Sequence, residues 1–161
     1  MVESGGKWGV PTHKAVFAGS HHIAIDEKGR LAVPARFRQP LLDACGAQLV
    51  LTIGPNPCVE IYPAPEFQRI VRDIQAMDDR GTAEKLKQVF VGFAVETEMD
   101  KQGRLLLPPM LRKRARLNGE AVLMGQDTRF DIWASDVWET RFGEGSELLT
   151  SLEDAFRTLK R

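Results

Sequence analysis

The sequence predicts an α+β chain, mainly β, built from two similar units that share one β-barrel-like core about a pseudo-two-fold axis. Three observations predict it. The stretch "DEKGRLAVP" at 26–34 returns as "DKQGRLLLP" at 100–108. Later stretches repeat in the same order: "VLTIG" (50–54) resembles "VLMG" (122–125), and "VEIYPAPEFQ" (59–68) resembles "FDIWASDVWE" (130–139). Third, each unit alone holds four short strands and two helices, too little to cover its own sheet edges. Two such units of a 161-residue chain are each marginal by themselves and complete one another when joined.

Each unit is justified in the same order. "HHIAID" and "VETEMD" alternate apolar and polar residues, as a half-buried strand requires. Asp-x-x-Gly then closes a tight hairpin: Asp26 and Asp100 can accept from following backbone N–H groups, and Gly29 and Gly103 can take positive φ. "RLAV" and "RLLL" return as second strands, and the proline after each opens a helix, "PARFR" or "PPMLRKRAR". Pro40 is expected to stop or restart the first helix, and Asn118-Gly119 to close the second. Strands follow at roughly 48–53 and 58–62, then 120–124 and 129–133. "APEFQRIVRDIQAM" and "ASDVWETRF" end the units as amphipathic helices. Thr82 is a candidate N-cap for "TAEKLKQVF", and apolar positions 148, 149, 152 and 156 suit one amphipathic tail helix. The expected boundaries are an arm at 1–15, a first repeat with linker helix at 16–80, a second repeat at 81–142 and a helical tail at 143–161.

Net charge is zero, but the charge is not evenly spread. Lys101 to Arg116 holds six Lys/Arg and no acid, Asp26 to Arg38 four against two, and Glu139 to Asp154 five acids against one Arg. A neutral average therefore hides a basic face at the two repeated motifs. Arg30 and Arg104 each begin a return strand. They can brace the turn by pairing with Asp26 and Asp100, or be aimed outwards by that pair towards phosphate or guanine edges. A two-stranded ribbon suits the major groove of duplex DNA. Lys28, Lys101, Arg36, Arg38, Arg112, Lys113, Arg114 and Arg116 are the further candidate DNA contacts, as phosphate ligands or as a solvated face.

Other chemistries lack their residues. His13, His21 and His22 have no Cys or carboxylate to complete a metal set, and His21 and His22 point to opposite faces of a strand. Cys45 and Cys58 have no metal or redox spacing and read as free thiols of a reduced compartment. No serine sits in a nucleophile elbow, and "VFVGFAVE" lacks phosphate-loop spacing. Tyr62, Phe67, Trp133 and Trp138 recur at matched positions and read as core anchors. No apolar run is long enough to span a membrane, and the N-terminus shows no secretory signal. The expectation is a cytoplasmic, nucleoid-associated protein that is not an enzyme and uses no cofactor, metal or small-molecule substrate.

The two Asp-x-x-Gly-Arg-Leu motifs, with "FAGSHHIAID" before the first and "FDIW" after the second, resemble the MraZ family, bacterial transcriptional regulators with two tandem AbrB-like (SpoVT-AbrB) domains. The likeness covers roughly residues 16–142. It implies a swapped-hairpin barrel core, assembly into a ring-shaped homo-oligomer, and binding of double-stranded DNA at repeated boxes in the promoter of the division and cell-wall gene cluster. It makes Asp26 with Arg30 and Asp100 with Arg104 the signature positions. The chain departs from the family pattern in a longer N-terminal arm and a short C-terminal tail. A ring-forming scaffold, or a protein-interaction module of the AbrB-like antitoxin type, is the alternative reading.

Overall fold

The computed structural model describes residues 17–161; the expected arm at 1–15, and His13 with it, lies outside the described residues. Strand β1 (Phe17–Ala24) enters the first Asp-x-x-Gly turn, and β2 (Arg30–Ala32) leaves it. Helix α1 (Ala35–Cys45), β3 (Gln48–Ile53), β4 (Val59–Pro63) and α2 (Ala64–Gln75) complete the first half. Helix α3 (Arg80–Leu86) and one π-helical turn (Lys87–Val91) lead to the second half. There β5 (Val95–Glu98), β6 (Arg104–Leu106), α4 (Pro109–Arg114), β7 (Glu120–Asp127), β8 (Phe130–Ala134) and α5 (Ser135–Phe142) repeat the order. Two short helices, α6 (Glu147–Ser151) and α7 (Glu153–Arg157), end the chain.

The strands pair across the repeat. An antiparallel six-stranded sheet runs β1-β7-β8-β4-β3-β5, and β2 pairs with β6 in a separate ribbon. Exchange of the two halves maps this strand order onto itself. The register locates the pseudo-two-fold axis at two residue pairs that are each other's counterparts, Leu31 opposite Leu105 in the ribbon and Glu60 opposite Asp131 at the sheet centre. The β1 and β5 strands remain the two ends of the six-stranded ladder, and no pairing closes the sheet among the described residues.

The core follows from the alternation. Leu31, Leu105, Leu107, Leu111, Phe37, Leu41, Phe17 and Phe130 are buried in one cluster drawn from both halves. Full burial of a Leu-sized side chain contributes about 1.5–3 kcal/mol, so neither half holds this core alone. Every residue of β4 and β8 is buried, because each strand is covered on both faces. Tyr62 and Phe67 pack with Phe90 in a second cluster, while Trp133 packs edge-on to Phe142. Trp138, by contrast, stays half-buried.

Four local expectations are corrected. Helix α1 runs through Pro40: proline removes one amide donor, and buried Phe37 and Leu41 hold the helix on either side of it. Helix α4 ends at Arg114, before Asn118-Gly119, with Arg116 at φ 56°. That reversal lets Leu117 turn inward and donate its N–H to the Arg112 carbonyl. The cap of α3 is Asp79, whose carboxylate accepts from the N–H and hydroxyl of Thr82. The tail is two helices rather than one, broken at Leu152 with φ −97° and ψ 0°.

Candidate nucleic-acid interface

The two turns are built alike. Asp26 Oδ1 accepts from the backbone N–H of Lys28 and of Arg30, both at 2.9 Å, and its Oδ2 accepts from Arg30 Nε at 2.8 Å. Asp100 Oδ1 accepts from Gln102 N at 2.9 Å and Arg104 N at 2.8 Å, and Oδ2 from Arg104 Nε at 3.1 Å. Gly29 and Gly103 close the turns at φ +89° and +80°. The Arg30 backbone N–H, aided by its guanidinium, holds the Asp26 carboxyl below the usual carboxylate range; Arg104 does the same for Asp100.

Pairing through Nε fixes the direction of each guanidinium and leaves its Nη1–Nη2 edge open. Among the described residues no hydrogen bond or ion pair takes those Nη atoms, and the side chains are 39% and 40% exposed. The brace and the outward aim, alternatives in the sequence, thus coexist in one geometry.

The ribbon register brings the two arginines together. Arg30 stands opposite Leu106, Leu31 opposite Leu105, and Ala32 opposite Arg104. Directly paired residues share a face, so Leu31 and Leu105 point into the core while Arg30, Ala32, Arg104 and Leu106 point out. Arg30 and Arg104 are diagonal neighbours across the axis, with Cα atoms about 7–8 Å apart. Two forked donors on one ribbon face can meet adjacent phosphates or base edges.

Both halves of the chain match a family model described as "MraZ protein, putative antitoxin-like", over residues 16–90 and 90–159. The chain belongs to the MraZ family. It is 43% identical over 125 residues to a protein of Alcanivorax borkumensis, covering 76% of this chain and 86% of that one. It is 38% identical over 148 residues to a protein of Pseudoalteromonas atlantica, covering 91% and 96%, and 38% identical over 125 residues to one of Methylococcus capsulatus, covering 77% and 82%. All three relatives are named "Transcriptional regulator MraZ".

In this MraZ-family chain the remaining cations do not form one stripe. Lys28 and Lys101 are exposed on the turn tips. Arg36 is exposed, its guanidinium 4.8 Å from the Phe37 ring centre. Arg38 and Arg112 are half-buried: Arg38 Nε donates to the Val33 carbonyl at 2.8 Å and Arg112 Nε to that of Leu107 at 3.2 Å. Each lies against the turn glycine of the opposite half, Arg38 on Gly103 and Arg112 on Gly29. Arg114 sits 4.8 Å from the Phe93 ring centre. Lys113 and Arg116 are exposed. The acid-free run 101–116 is therefore divided between an outward arginine, a structural one, one stacked on an aromatic ring, and free surface.

Sequence reasoning missed two features. One is Leu106, 54% exposed on the arginine face; its signal was a third consecutive apolar residue in "RLLL", one more than a half-buried strand needs. The other is the polar cluster at the sheet centre. Arg129 Nε donates to Asp131 Oδ1 at 2.8 Å and its Nη2 lies 3.9 Å from Glu60 Oε2, while the Tyr62 hydroxyl donates to Glu60 Oε1 at 2.8 Å. Burial raises the Glu60 carboxyl. The repeat matches position 60 with position 131, but nothing in a linear reading sets the two carboxylates opposite one another at the sheet centre or brings Arg129 to them.

His21 packs edge-on to Phe37, and His22 lies 6.1 Å from Trp138, ring centre to ring centre. Among the described residues no group of three metal-binding side chains converges, and no helix is long and apolar enough to cross a membrane.

Proposed function

We propose that this chain is a sequence-specific, non-catalytic DNA-binding transcriptional regulator. It binds repeated promoter boxes of the division and cell-wall gene cluster as a ring-shaped homo-oligomer. It works in the cytoplasm at the nucleoid, without cofactor or small-molecule substrate, on a swapped-hairpin barrel scaffold of the AbrB type. The observation that carries this reading is the pair of turn-braced arginines, Arg30 and Arg104, with open Nη edges on one outward ribbon face. The names of the relatives support the regulatory role. Lys28, Lys101, Arg36, Lys113, Arg114 and Arg116 flank the pair as phosphate contacts; Arg38 and Arg112 hold the turns.

The test is a footprint on DNA upstream of the chain's own gene, with affinity measured against salt. Protection of regularly spaced short boxes is expected, with log affinity falling linearly in log salt by about 0.9 per phosphate neutralised. Retention on duplex DNA that ignores salt, or no protection, overturns the reading. The family description "antitoxin-like" favours a second reading, a ring-forming scaffold or protein-interaction module. Failure to bind heparin and duplex DNA alike would move the function to that class.

A further inference from the structure

The outward face of the β2–β6 ribbon is not symmetric. The pseudo-two-fold axis exchanges Arg30 with Arg104, but it exchanges Ala32 with Leu106 and, in the helices that follow, exposed Arg36 with Met110. Leu106 is 54% exposed and Met110 51%. Leu106 has no part in the core, since Leu105 and Leu107 on either side are buried at 1% and 0%. A ribbon with one buried face needs apolar side chains only at alternate positions, and Ala32 fills the equivalent place without a large side chain. A lone exposed leucine is ordinary on a protein surface. This one lies directly opposite Arg30 and two residues along the strand from Arg104, so it borders both arginines on the outward face. An apolar side chain amid forked donors matches the major groove, where guanine offers acceptors and thymine offers a C5-methyl group.

We propose that Leu106 is a specificity-determining residue that packs on the C5-methyl of a thymine beside the bases met by Arg30 and Arg104. The inference rests on the DNA-binding reading above. The effect is one-sided, because Ala32 is too short to make the same contact from the other half. Leu106 is outside the fold's core, so its truncation leaves the protein folded.

The test uses the full-length protein and a duplex enriched from a random-sequence pool. Each thymine of that duplex is replaced in turn by deoxyuridine, which removes only the methyl group. Wild-type binding is expected to weaken about four-fold at one position, the worth of one methylene-sized group removed from water. Leu106→Ala should bind the thymine duplex about four-fold more weakly and be indifferent to deoxyuridine there. Ala32→Leu should gain a second sensitive thymine on the opposite side of the site. An enriched sequence without thymine, a wild type indifferent at every thymine, or a Leu106→Ala variant that keeps the full loss would overturn the assignment while DNA binding stands. A protein that enriches no duplex would overturn the DNA-binding reading itself, and this inference with it.

Discussion

Arg38 occupies the space that a side chain on Gly103 would need. A Cβ built on Gly103 would come within 2.6 Å of Arg38 Cδ, and one built on Gly29 within 2.8 Å of Arg112 Nε. The repeated motif thus needs glycine for two reasons, the positive φ of the turn and the arginine laid across it from the other half.

Gly103→Ala is expected to destabilise the protein by at least ~1–2 kcal/mol from the left-handed backbone alone, with a further loss because Arg38 must leave the Val33 carbonyl. In an Arg38→Ala background that further loss should vanish while the backbone cost remains. Urea denaturation of the four proteins forms a double-mutant cycle. Strict additivity would show that Arg38 does not press on the turn.

The half-buried and outward arginines should separate by phenotype. Arg38→Ala and Arg112→Ala are expected to lower stability by ~1.5–3 kcal/mol, as loss of a charged donor to a backbone carbonyl does, with sequence preference retained. Arg30→Ala and Arg104→Ala should keep the fold and cost ~1–3 kcal/mol of discrimination between promoter and scrambled duplex. Competition binding on folded variants checks this. Undiminished discrimination by the Arg30→Ala/Arg104→Ala double variant would remove these two side chains from base reading.

Acid should loosen the two turns. The Asp26 and Asp100 carboxyls are held below their ordinary range, first by the backbone N–H of Arg30 and Arg104. A depressed folded value gives stability that is present above the unfolded value of about 3.9 and lost as pH falls through the folded value. Thermal melts should therefore fall below about pH 4, and Asp26→Asn with Asp100→Asn should flatten that limb. An identical acid limb in the double variant would mean that other groups set it.

Glu60 should act in the opposite sense. Burial raises its carboxyl, so its contribution is present below the unfolded value of about 4.3 and lost as pH rises through the folded value. Glu60→Gln keeps an acceptor for the Tyr62 hydroxyl and gives up only a 3.9 Å approach to Arg129, which retains Asp131 at 2.8 Å. Stability at neutral pH is expected to rise, and its decline from about pH 4 upwards to flatten. A variant less stable at every pH would show that the Arg129 attraction outweighs the burial cost.

Neither half should fold alone. Among the described residues the β1–β7, β2–β6, β3–β5 and β4–β8 ladders all join the two halves, while the β3–β4 and β7–β8 ladders and the single Ile25–Leu31 bridge lie within one half. Residues 1–80 or 81–161 are expected to show no cooperative melt as monomers. A cooperative monomeric half, seen by calorimetry and sedimentation, contradicts this.

Local chemistry was the legible part of the sequence. The Asp-x-x-Gly turns, the Asp–Arg pairs and the strand positions all follow from residues within four places of one another. Pairing across the repeat set what was not legible. The acid-free run looked like one basic stripe, yet Arg112 is drawn to a glycine 83 positions earlier, at Gly29, and Arg114 to Phe93. Leu106 shows the same limit: its neighbours in sequence are buried leucines, and only the ladder reveals that it faces out beside arginines. The Arg116 reversal depends on burial of Leu117, which a propensity for Asn-Gly could not register.

The counterpart of Arg129 in the first half is Cys58, buried and close to the same two carboxylates. In a dimer of two identical single-unit chains, any side chain placed beside the axis is placed there twice. One arginine at this site would bring a second, and two guanidiniums would crowd two carboxylates. Fusion of the copies in one polypeptide lifts that constraint. A tandem duplicate can change one partner at its own centre and leave the other alone, so genetic linkage of the repeats gives this molecule an asymmetry that an identical-subunit pair cannot inherit.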